Sequence, residues 1–267
     1  MQKEKEKGEK KEYAETLKLA QKALKRFREK AKQDPDTYLN DVGFFCHNIG
    51  MLQQMFDKSR SAAKYFEEAL QIRRELVAKN REAWLPDLAD TLYQFGLLKF
   101  TRKDNKAAEI YLSEVLPIRR ELVLKDREAN LLNIAEIISI LGTIRFEQND
   151  YKTSDIYFHE AWVYFGELVF KDRAASLPGL ANSLMNLGTF YQETKGERHG
   201  EIYYNEALEL FRELAETDRE TYLPLVLSAL SHIGKVQLFN KDSERAGETF
   251  HEIMLINREL KSRKKSN

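Results

Sequence analysis

The sequence predicts an all-α solenoid, a stack of about eleven antiparallel helices built by repeating one helix pair. A glycine returns every 46 residues, at Gly50, Gly96, Gly142, Gly188 and Gly234, each preceded by an apolar residue. Twelve residues after each glycine stands a small residue: Ala62, Ala108, Ser154, Gly200 and Ala246. Composition agrees, with only 5 prolines and 12 glycines beside 42% hydrophobic residues. A fixed period in this range marks an array of one supersecondary unit.

Five units follow without insertion or deletion: 35–80, 81–126, 127–172, 173–218 and 219–264, the last carrying a basic tail to residue 267. In the second unit Leu85, Leu88, Leu92, Phe95 and Leu98 recur at helical spacing. After a polar break at 102–105, so do Ala108, Tyr111, Leu112, Val115, Ile118 and Leu122. Both halves show the i, i+3, i+4, i+7 pattern of an amphipathic helix. Similar breaks at 148–150, 195–197 and 240–242 read as short turns within each pair. Each helix of roughly 20 residues would be ~30 Å long, and the five pairs should be equal in length.

Leu85-Pro86, Leu177-Pro178 and Leu223-Pro224 share one column, which carries Asn40 in the first unit and Leu132 in the third. Proline is tolerated in the first turn of a helix, so these prolines are expected to mark where each first helix begins. Asp126, Asp172 and Asp218 precede them as candidate caps. A helix-interior glycine costs roughly 1 kcal/mol relative to alanine, so its recurrence implies a contact that excludes a side chain. The expected partner is the small residue twelve positions on, with Gly188 against Gly200 the tightest pair.

Residues 1–34 read as a charged segment followed by half a unit, because 12–33 match a second helix without its first. The lysine and glutamate run before it reads as a solvated cap, and the basic end at 261–267 as a solvating tail. Lys+Arg and Asp+Glu are equal at 43 each, and this balance argues against nucleic-acid and anionic-membrane partners. No run approaches the ~18 apolar residues that span a bilayer, and the N-terminus lacks the apolar stretch of a signal peptide. With a single cysteine, Cys46, a reducing, cytoplasmic setting is expected.

No catalytic constellation emerges. The five histidines form no H-x3–5-H pair beside a cysteine cluster, so no zinc site is expected. Cys46-His47 invites a nucleophile reading, but Cys46 shares a core column with Leu92, Ile138, Leu184 and Leu230. No phosphate-binding loop, dinucleotide fingerprint or serine-nucleophile motif is present. The chain is therefore read as a non-enzyme with no cofactor and no metal.

The columns Leu92…Phe95-Gly96, Ala108, Leu112 and Val115-Leu116 resemble the tetratricopeptide repeat, as do Leu184…Leu187-Gly188, Gly200, Tyr204 and Ala207-Leu208. The 46-residue form is similar to long bacterial arrays of this family and to kinesin light chain repeats. The resemblance covers about residues 12–260 and implies a right-handed superhelix. Unit three departs most, with Ser154, Trp162, Gly166 inside its second helix and no proline at its start. Pro117 sits inside the second helix of unit two and should kink it.

The resemblance also implies that first helices line a concave face. Counted from the glycine, the inward positions are six, three and two before it and one after it. They give Phe44, His47, Asn48 and Met51; Asp90, Tyr93, Gln94 and Leu97; Glu136, Ser139, Ile140 and Thr143; Asn182, Met185, Asn186 and Thr189; and Ser228, Ser231, His232 and Lys235. Asn48 and Asn186 match a position at which many peptide-binding arrays hold a ligand backbone. A carboxylate clamp needs convergent cations, and this face offers only Lys235 against Asp90 and Glu136. The expected ligand is thus a protein or peptide segment that is not strongly acidic, lying along a continuous groove with apolar anchors at Phe44/Met51 and Tyr93/Leu97. The alternative is a sensor or regulatory module of a larger effector-containing or enzyme-containing system.

Overall fold

The computed structural model describes residues 2–266. Among these it contains eleven α-helices, one 3-10 turn and no strand. Two compact units divide the chain after Lys125. The first holds α1 (Gln2–Gln33), α2 (Pro35–Met55), α3 (Ser59–Lys79), α4 (Arg81–Thr101) and α5 (Asn105–Leu122). The second holds α6 (Arg127–Glu147), α7 (Tyr151–Val169), α8 (Arg173–Lys195), the 3-10 turn Glu197–Gly200, α9 (Glu201–Thr217), α10 (Arg219–Phe239) and α11 (Ser243–Ser266). The expectation of solvated charged ends falls largely on side chains outside the described residues.

Capping side chains, rather than the prolines, set the helix starts. Asp34, Asn80, Asp172 and Asp218 accept from the backbone N–H three residues on at 3.0–3.2 Å. These residues belong to one 46-residue column, and each satisfies an orphan donor of the first turn. Pro86, Pro178 and Pro224 therefore lie inside α4, α8 and α10, correcting the sequence expectation. Proline there removes one hydrogen bond without ending a helix that is already capped and packed. The helix likewise runs through Pro117 to Leu122.

Within each pair the turn is closed by a residue in the left-handed region: Asp57, Lys103, Asn149 and Lys241, with φ between 55 and 62°. Asp104, Asp150 and Asp242 then cap the second helix. The fourth pair differs. Gly196 turns at φ 104°, and the 3-10 turn replaces the first turn of the second helix. Equal pair lengths are thus not found: α5, α7 and α9 have 18, 19 and 17 residues, against 21 in α3.

The glycine column has a different partner from the one expected. A Cβ at Gly50, Gly96, Gly142 or Gly188 would lie 2.6–2.8 Å from the side chain of Phe66, Leu112, Phe158 or Tyr204. At Gly234 it would lie 3.1 Å from Phe250. The excluded space belongs to the large residue sixteen positions on, which reaches the glycine from the second helix. The small column is buried as well, and the expected Gly188–Gly200 pair is close, the Cβ position of Gly200 falling against the Gly188 carbonyl. In the first unit the core gathers Leu24, Val42, Cys46, Ile49, Ala69 and Leu76. In the second, Leu184, Tyr204, Phe211, Leu230 and Ile233 lie in one cluster, and Phe158, Leu187 and Phe190 in another.

A ladder of ion pairs runs along the surface, each rung spanning forty residues. Second helices are joined by Arg28–Glu68, Arg74–Glu114 and Arg212–Glu252. Arg81–Glu121, Arg127–Glu167, Arg173–Glu213 and Arg219–Glu259 join the start of a first helix to the end of its own second helix. These are forked guanidinium–carboxylate contacts, and they hold Glu121, Glu167, Glu213 and Glu259 below the usual carboxylate range. Exposed pairs add little stability singly, so their main effect is on register.

Candidate functional site

The candidate residues lie on first helices and separate into two rows. The outer row, six before and one after each glycine, faces solvent at several places. Phe44 is 52% exposed, and Asp90, Asn182 and Lys235 are exposed; Met51 and Leu97 are half-buried. The inner row, three and two before the glycine, is buried or half-buried, and His47, Ser139 and Asn186 bond across the seam between neighbouring first helices.

Tyr93 is only 7% exposed, so it is not the open anchor that the sequence suggested. Its helix position turns it into the packing of α4. His47 Nδ1 lies 3.1 Å from Thr91 Oγ1, joining α2 to α4. Burial pushes the His47 imidazole down to about 4. The Asn186 amide donates to Ser139 Oγ at 3.2 Å, joining α8 to α6. Asn48 donates to the Phe44 carbonyl one turn back, at 2.8 Å. His232 stacks on Tyr204 with ring centroids 4.5 Å apart, and burial lowers its pKa. Gln94, Ile140 and Met185 are half-buried, and Met185 packs against the second unit's core.

Electrostatically, this face in the first unit is backed by two buried arginines that the sequence reading missed. Arg73, 3% exposed, donates from α3 to the Asp87 carbonyl and to Thr91 Oγ1, and lies 3.5 Å from the Asp87 carboxylate. Arg119, 5% exposed, pairs from α5 with Asp90. The signal was present, since Arg73 and Arg119 share a column with Phe165 and Phe211, which are core residues. Asp90 is consequently a compensated carboxylate and not a free negative charge.

Cys46 is fully buried and its thiol is pushed up to about 12, which removes it as a nucleophile. Among the described residues no three His, Cys, Asp or Glu side chains group as a metal site. No described helix is long and apolar enough to cross a membrane.

Solved structures share this arrangement of repeated helix pairs. The chain is similar to BtubC (BKLC) from P. vanneervenii, with TM-score 0.66 and 16% identity over 93% of this chain and 92% of that one. It is also similar to the nearly identical TPR-like repeats of a Podosopora anserina kinesin light chain protein, with TM-score 0.52 and 12% identity over 81% of this chain and 95% of that one. The fold is the tetratricopeptide-like helical repeat. Aspartyl phosphate phosphatase F from Bacillus subtilis matches at TM-score 0.63 and 16% identity over 86% of this chain, which spans only 54% of the phosphatase. No family model and no curated protein matches the sequence.

Proposed function

We propose that this chain is a non-catalytic scaffold that captures a protein or peptide segment on its first-helix faces. The observation that carries the reading is the division of labour between the two rows. Seam contacts such as His47–Thr91 and Asn186–Ser139 lock neighbouring first helices. The outer row is left facing solvent on that rigid base, and a preformed face binds at a lower ordering cost. Phe44 and Met51 offer apolar contact, Asn182 a free amide, and Lys235 a cation. Arg73 and Arg119 are already committed to Asp87 and Asp90, so the face does not favour a strongly acidic ligand. A regulatory module acting with a further domain is the second reading. Its support is the likeness to RapI and to phosphatase F, of which this chain spans 63% and 54%.

The test uses peptides selected on this protein from a random display library. Phe44→Ala and Asn182→Ala should each weaken the selected peptides, by ~2 kcal/mol where the side chain is an anchor. Glu67→Ala and Glu209→Ala, on second helices, should leave affinity unchanged. The opposite pattern would overturn the reading.

A further inference from the structure

The arginine–glutamate ladder between second helices has a gap inside the second unit. Position 166 is glycine, where the same column carries Arg28, Arg74 and Arg212. In those repeats the arginine reaches the glutamate forty residues on. Glu206, forty residues after Gly166, receives no such rung; it is exposed and makes no ion pair among the described residues. Rungs of the same forty-residue spacing close at 2.5–2.8 Å in the repeats that carry the arginine.

The gap has apolar walls. A pocket of about 350 Å3 opens between α7 and α8, lined by the apolar Trp162, Val163, Val169, Phe170 and Leu180, by Gly166, and by Arg173, whose guanidinium is held by Glu213. A Cβ on Gly166 would meet nothing within 4 Å. Phe170 is 93% exposed, and Trp162 shows 38% where the equivalent Leu70, Leu116 and Leu208 are buried. An exposed apolar patch beside an unmatched carboxylate marks an interaction surface. Arg173 is committed to Glu213, so the complement of this surface is a second guanidinium for Glu206, carried among apolar side chains in helical register.

This chain holds that complement on α11. Arg258 lies in the same column two units beyond Gly166, is exposed, and makes no ion pair among the described residues. Met254 and Leu255, four and three residues before it, share its helix face and are also exposed. We propose that α11 of a second copy docks on this pocket, with Arg258 supplying the missing rung to Glu206 and Met254 and Leu255 seated against Trp162 and Phe170. The contact joins two different patches, so it is heterologous and builds either a closed ring or a longer chain of copies.

Sedimentation equilibrium across a concentration series tests this. The wild-type protein should self-associate. E206R and R258E should each weaken association by at least about tenfold, and the double swap E206R/R258E should restore it. Both side chains are exposed and free of ion pairs, so neither single change should alter the far-UV circular dichroism. G166R rebuilds the rung in cis and fills the pocket; it should abolish association while melting no lower than wild type. A wild-type protein that stays monomeric throughout, or association that ignores the single swaps or is not restored by the double one, would overturn the proposal. Peptide capture on the first-helix faces is independent of these outcomes.

Discussion

Replacing Gly188 with alanine puts a Cβ 2.6 Å from Tyr204 Cε1 and 2.7 Å from Cδ1. Ordinary contact begins near 3.4 Å, so the ring must retreat by about 0.8 Å. It has little room, because Tyr204 is fully buried and stacks on His232. Its hydroxyl donates to Gln192 Oε1 at 2.6 Å, a bond that the shift would stretch. Overpacking costs ~1–3 kcal/mol, the strained hydrogen bond ~1 kcal/mol, and the gain in helix propensity returns ~1 kcal/mol. The net expectation is a loss of ~1–3 kcal/mol. Gly166→Ala is the control: the same chemical change in a helix interior with open space around it should gain up to ~1 kcal/mol. Urea denaturation followed by circular dichroism measures both, the midpoint falling for Gly188→Ala and rising for Gly166→Ala. Adding Tyr204→Leu to Gly188→Ala should recover part of the loss, a coupling that separate sites do not show. If Gly188→Ala is as stable as wild type, the glycine column is not there to admit the residue sixteen positions on.

Three further outcomes are expected. The Cys46 thiol, fully buried and pushed up to about 12, should resist a thiol-specific reagent in the native protein and react at once in denaturant; rapid native labelling would contradict its core placement. His47 is held down to about 4, against an ordinary value of 6.5, mainly by burial. Because the folded value is depressed, the unfolded chain takes up the proton first. Stability is full above about 6.5, falls as pH drops towards about 4 and then levels off, by at most ~3 kcal/mol for this group. His47→Gln should flatten that slope in part, His232 contributing with the same sign. Phe44→Ala should leave the unfolding midpoint nearly unchanged, since substitutions at exposed sites stay within about 0.5 kcal/mol, while it lowers peptide affinity.

The period made the architecture legible. Five units in one register place ten helices without reference to any contact, and the half unit before them places α1. The prolines misled because a helix start depends on its capping side chain, and Asn80 and Asp172 lie nearly two turns upstream of Pro86 and Pro178. Gly188 does lie against Gly200 as expected, but the residue that excludes a side chain along the whole column was misassigned, because spacing identifies which columns are tight but not which side chain crosses between helices. Arg73 and Arg119 went unread for a related reason: the column holds phenylalanine in later repeats, and only the fold shows that their carboxylates come from α4. Tyr93 and Asn186 were placed on an open face because helical spacing gives a direction from the axis, whereas the neighbouring first helix decides how much of that face it covers.

Photo-crosslinking tests capture on the first-helix faces most directly. Benzoylphenylalanine is placed in turn at the positions of Phe44, Asn182, Glu67 and Glu209, and each protein is irradiated with a labelled peptide selected from the display library. Positions 44 and 182 should give crosslinks that excess unlabelled peptide suppresses, and positions 67 and 209 should give none. Suppressible crosslinks from 67 and 209 alone would show that the protein works through its second helices.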